Sequence, residues 1–244
     1  MMRTGNITTA IGAGLREYLR TPVLLGVLVV APAYLIGLFG YLAPDTPAPV
    51  SVPGSGRMMI PLGDVLAILG VVLTTALVGG LIGLFVVQSA ADGDGRLVIA
   101  GFPQISLLIA RGSLVGIASA TTVLVAIPTV LLSFEPSSVV LLGITGLLTA
   151  LTYGMIGIAV GSQVDLLAGV WILLFVPLLD VVLFQNPLAT ETNQLATVLP
   201  GHTPMKLAMD AGFGSGIEWM NLIHASGYLA IVTGIATVLY YRKT

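Results

Sequence analysis

The chain has 244 residues, of which 56% are hydrophobic and 8% charged, with a net charge of −2 at pH 7 and no cysteine. A soluble domain averages about 25% charged residues, so the composition excludes a water-solvated globule. It also excludes a disulfide framework, a thiol nucleophile and a cysteine-based metal site, and no basic stretch marks a nucleic-acid partner.

In residues 6–20, Ile7, Ile11, Leu15, Tyr18 and Leu19 recur at helical spacing. Arg16, Glu17 and Arg20 lie off that apolar face or at its edge. The pattern predicts an amphipathic helix lying in the membrane interface, ended by Thr21-Pro22. About 20 residues precede the first span, which is too long for a signal peptide's apolar region, so no cleavable signal is expected.

Six apolar runs follow: Pro22–Ala43, Asp64–Gln88, Gly112–Phe134, Val139–Val160, Leu166–Phe184 and Leu222–Tyr241. A crossing helix needs about 20 such residues. The runs are apolar on all sides, which fits helices and not the alternating strands of a barrel. The predicted fold is all-α and polytopic: one membrane domain over 1–244 with six transmembrane helices.

The first connection carries Pro44, Pro47, Pro49, Pro53 and Pro61 with Gly54 and Gly56, and reads as an extended, irregular linker. The second, Ser89–Arg111, opens on the turn-rich Ala91-Asp92-Gly93-Asp94-Gly95-Arg96. Leu97–Ala100 is apolar, Gly101-Phe102-Pro103 breaks it, and Ile105–Ala110 rises into the third span. Apolar residues in such a connection need cover, from the interface or from a partner. Asp92 and Asp94 resemble the start of a calcium loop, but its later ligands are missing.

The longest connection, 185–221, holds the apolar stretches Leu195–Leu199 and Met205–Met209, interrupted by prolines and glycines. Short re-entrant or interfacial helices are expected there. Lys206 and Asp210, spaced i,i+4, could pair on one helix face. Gly212-Phe213-Gly214-Ser215-Gly216 lacks a preceding strand, so it reads as a turn and not a nucleotide loop.

Arg3, Arg16, Arg20, Arg96, Arg111, Arg242 and Lys243 fall on one side of a six-span arrangement, and only Arg57 and Lys206 on the other. That asymmetry predicts both termini in the cytoplasm of a multi-pass protein of the cell membrane.

No catalytic set can be drawn. The histidines are His202 in the outer connection and His224 near the outer start of the last span, neither within H-E-x-x-H. Ser162 lies at the opposite end. Asp180, in the outer part of the fifth span, is expected to snorkel or cap, and Asp165 to begin the fifth helix. Gly112/Gly116, Gly157/Gly161 and the group Gly79, Gly80 and Gly83 permit close helix packing. Pro128 and Pro177 lie inside spans and are expected to kink them. Polar positions such as Thr74, Thr75, Thr121, Thr122, Gln88 and Asn221 could line a path or bond within the bundle. No Gly-Lys-Ser or Gly-Lys-Thr is present, so any ATP must be bound by another chain.

Three segments together resemble the membrane subunit of ABC-2-type, exporter-class ABC transporters. Asn6–Arg20 looks like the family's interfacial elbow helix. Arg96–Arg111 is similar to its coupling region, although an acidic residue is common there where this chain has Leu97–Ala100. Leu195–Phe213 is similar to its outer re-entrant segment. The resemblance implies a permease that exports its substrate, with no cofactor in this chain and ATP-Mg in a partner ATPase subunit. It implies docking of that partner on segment 96–106 through Arg96, Leu97, Ile99, Phe102, Pro103 and Ile105. It also implies a second permease copy, identical or not, within the lipid bilayer. The other reading from the residues is an ion-coupled secondary transporter with no ATPase partner.

Overall fold

A computed structural model describes residues 22–44, 46–189 and 194–243, together with Gly12. The amphipathic segment of Ile7, Ile11, Leu15, Arg16, Tyr18 and Arg20 lies outside the described residues. The elements are α1 (Pro22–Leu42), β1 (Pro47–Val52), β2 (Gly56–Pro61), α2 (Leu62–Ile99), α3 (Gln104–Leu131) and α4 (Val139–Gly161). Then come α5 (Leu166–Leu178), a π-helical turn Leu179–Phe184, a 3-10 turn Gln194–Val198, α6 (His202–Phe213) and α7 (Trp219–Lys243).

Among the described residues, five helices are long and apolar enough to cross a membrane, in α2, α3, α4, α5 with its π turn, and α7. The described apolar stretch of α1 is shorter, Gly26–Gly40. The chain is a helical membrane protein. Its exposed surface carries Leu124, Leu167, Trp171, Phe175, Ile231 and Ile235, side chains that water would not tolerate in such density and lipid does.

The helix α2 is the axis. Of its span, 83% is buried, against 28% for the fifth span and 11% for the last. It touches α1, α3, α4, α5 and α6, most extensively α4. Glycine explains that closeness. A Cβ at Gly79, Gly83 or Gly157 would collide with the carbonyl of Ala150, Gly154 or Gly80. Side chains are absent where the two backbones meet, and dispersion contacts replace them. A Cβ added at Gly112 or Gly116, by contrast, would meet nothing within 4 Å among the described residues.

Many span hydroxyls are satisfied within their own helix, whereas those of Thr74 and Ser119 are buried without a partner. Thr75, Thr121, Thr122, Thr145 and Thr149 each donate to the carbonyl four residues back. Gln88 donates to the carbonyls of Gly161 and Val164, at 2.8 and 2.7 Å, and so caps the end of α4. Asp165 caps α5 as expected, accepting from the Ala168 N–H at 2.9 Å.

Two expectations are corrected here. The proline-rich connection is a β-hairpin and not an irregular linker. Its strands pair antiparallel from Pro47 opposite Pro61 to Val52 opposite Gly56. Each strand of a two-stranded ribbon keeps a free edge, where a proline's missing N–H costs no ladder bond. Val50, Val52 and Ile60 are buried, so the hairpin lays one face on the bundle. Gly54 and Gly56 take the positive φ of 69° and 77° that turn the chain. The second correction concerns residues 91–96. They do not form a turn: α2 runs through them for 38 residues before Gly101, at φ 85°, reverses the chain.

Candidate functional site

At 1.5 Å per residue, α2 is about 57 Å long, well beyond the ~30 Å hydrocarbon core. Its apolar span ends at Ala91, and its last turns meet α3 in a corner, residues 96–103. Glycine would ordinarily weaken this stretch by about 1 kcal/mol each for Gly93 and Gly95. Asp94 supplies the compensation. It is 1% exposed. The Arg111 guanidinium donates to it twice, at 2.7 and 3.2 Å, and the Tyr240 hydroxyl donates at 2.7 Å. One carboxylate thus ties the end of α2 to the start of α3 and the end of α7.

The corner itself presents apolar groups outward. Ile99 is 89% exposed, with Arg96, Leu97 and Pro103 also exposed. Phe102 and Ile105 are half-buried. The six residues expected to dock a partner therefore share one corner, and four of them face out.

The opposite end is built from the hairpin, the α3–α4 connection and α6. The Ser137 and Ser138 N–H groups donate to the carbonyls of Gly212 and Ala211, which seats the end of α6 on the start of α4. The 3-10 turn and α6 are the short helices expected in this connection. Asp180 lies beneath them. It neither snorkels nor caps: it is 2% exposed and accepts from the Tyr153 hydroxyl, from Gln185 Nε2 at 3.1 Å and from the Gly201 N–H at 2.8 Å. Gln185 also donates to the Ala196 carbonyl at 2.9 Å, and its Oε1 lies 3.0 Å from His202 Nδ1. The π turn after Pro177 brings Asp180 and Gln185 to this point. Sequence reasoning missed this network because Asp180 stands four residues from a run end, where an acid normally escapes to water.

His202 and Gln185 form part of the wall of a cavity of about 390 Å³ at this end. Burial lowers the His202 pKa, the Lys206 ammonium lowers it further and Asp180 acts the other way, so the imidazole is neutral near pH 7. The expected Lys206–Asp210 pair does not form. Lys206 is exposed, whereas Asp210 is buried with both carboxylate oxygens lacking a hydrogen-bond partner. Burial, then the charge of Glu218, raises the Asp210 pKa to about 6, against the opposing pull of Lys206.

His224 is exposed on α7. Among the described residues, no three His, Asp or Glu side chains are grouped to hold a metal. Compared with family models and with curated proteins, the sequence matches none.

Proposed function

We propose that this chain is the six-span membrane subunit of an ATP-driven exporter of the ABC-2 class, docked through its corner on a separate ATPase subunit. The supporting observation is the corner: an ion-paired helix end that carries exposed Ile99 and Leu97 on a helix longer than a bilayer needs. An apolar knob there is covered by a partner protein better than by water. In this reading the chain performs no chemistry. ATP-Mg is hydrolysed in the partner, and the force enters through residues 96–106. Asp94, Arg111 and Tyr240 carry it into α2, α3 and α7, and substrate passes between two permease copies. The charge asymmetry puts the corner and both termini in the cytoplasm.

The test is copurification from the native membrane in mild detergent. An ATPase subunit in fixed stoichiometry is expected with the unaltered chain, and it should be lost on Leu97→Glu and Phe102→Glu. Phe102 is half-buried, so Ile99→Glu, at an exposed position, is the variant least able to disturb folding. If all three variants retain the ATPase and its stimulation, the docking assignment is wrong. If the pure chain moves solute in liposomes under an ion gradient, the secondary-transporter reading replaces it.

A further inference from the structure

The cavity beside His202 places opposite charges around one volume. Lys206 and Glu218 both line it, and they form no ion pair with each other. Glu218 accepts from Asn221 at 2.9 Å through one oxygen, which leaves its other oxygen for a ligand. Phe184, Met205 and Met209 supply apolar wall, and Gln185 and His202 supply neutral polar groups. Asp180, behind that wall, is occupied by its three donors. Among the described residues that line it, the cavity thus offers one cation and one anion.

Its volume of about 390 Å³ falls in the range of sites that hold small organic ligands. A simple anion would gain Lys206 and be opposed by Glu218. A simple amine meets the reverse. A molecule carrying both signs satisfies both groups at once, and electrostatic complementarity of this kind selects ligands by rejecting wrong charges as much as by attracting right ones. Lysine binds phosphate as a point charge, and a carboxylate suits an ammonium.

We propose that this cavity binds a zwitterionic ammonium–phosphate group of the phosphoethanolamine type, with Lys206 on the phosphate, Glu218 on the ammonium and the apolar wall against the adjoining carbon chain. Such a group can come from a membrane lipid or from a soluble phosphoester. The inference is independent of any ATPase partner.

The experiment uses the full chain in nanodiscs of phosphatidylglycerol, which lacks the ammonium. Phosphoethanolamine, inorganic phosphate and ethanolamine are titrated separately by calorimetry. In a second arm, native mass spectrometry follows retention of phosphatidylethanolamine against phosphatidylglycerol. Phosphoethanolamine is expected to bind at least about tenfold more tightly than either half, and Lys206→Gln and Glu218→Gln should each remove about that factor. Both side chains are exposed, so the fold should survive both substitutions, as checked by unchanged thermal melting. Selective lipid retention, lost in both variants, identifies the lipid as the source. Binding of the soluble probe without lipid retention identifies a soluble ligand. The proposal is overturned if neither form binds, if phosphate alone binds as tightly, or if binding survives both substitutions.

Discussion

Each end of the bundle is held by a buried aspartate that accepts a tyrosine hydroxyl, yet the two are built differently. At the corner, Asp94 faces the Arg111 guanidinium, whose side chain retains 13% exposure. At the hairpin end, Asp180 faces only neutral donors, from Tyr153, Gln185 and Gly201. The corner therefore rests on a charge pair near the edge of the bundle, and the hairpin end on hydrogen-bond count in the interior. Losing the aspartate leaves a stranded cation in the first case and stranded neutral N–H and O–H groups in the second.

That contrast sets the order of expected damage. Asp94→Ala leaves the partly buried Arg111 without its anion, a change that costs about 3 kcal/mol or more. Thermal unfolding in detergent should show the loss, together with release of the corner to proteolysis near Gly101. Tyr240→Phe removes one hydrogen bond from the same carboxylate and should cost about 1 kcal/mol. Equal losses from the two substitutions would mean that the ion pair contributes nothing of its own.

Asp180→Asn is the matching break at the other end. The amide keeps the shape but presents one carbonyl to three donors, so one or two of them lose their acceptor. Each buried unsatisfied group costs about 1–3 kcal/mol, and about 2 kcal/mol is expected in total, below the Asp94→Ala loss. Hydrogen exchange should rise first in residues 194–213, whose attachment runs through Gly201 and Gln185. Exchange rising equally at the corner would show that the two ends unfold as one unit, and the comparison would fail.

Five of the six expected spans were legible because long apolar runs permit little else in a bilayer. The helix seam was legible in the spacing of Gly79, Gly83 and Gly157, but not its partners, since Gly112 and Gly116 carry the same spacing and a Cβ added there would meet nothing within 4 Å among the described residues. The hairpin was hidden by its prolines, which signal linker unless the free edges of a two-stranded ribbon are considered. The alternation of buried Val50 and Val52 with exposed Ser51 was the available signal. The run through Gly93 and Gly95 was hidden because local propensity opposes helix there, and the contacts that override it come from Arg111 and Tyr240, 17 and 146 residues from Asp94 in sequence. Docking candidates at 96–105 were readable as an uncovered apolar stretch. The cavity at the hairpin end was not, because its lysine and glutamate come from different segments of one connection and are brought to one cavity only by the fold.

Asp210 sharpens the comparison from the other direction, as a buried carboxylate with no donors at all. Its pKa is raised from 3.8 to about 6 in the folded chain, so between those values the folded state binds more protons than the unfolded one. Stability then falls as pH rises through that window and levels off above it. Asp210→Asn removes the dependence. The substituted chain should be more stable than the original near pH 8, by on the order of 1–3 kcal/mol for a shift of this size, and the gain should vanish below about pH 4. Thermal melts of both chains across pH 4–8 measure that difference directly. A difference that does not change with pH would mean that Asp210 has the same pKa in the folded and unfolded chains, its burial offset by donors or by Lys206. In the former case a buried aspartate at this end would be governed by neutral donors wherever it sits, as Asp180 is.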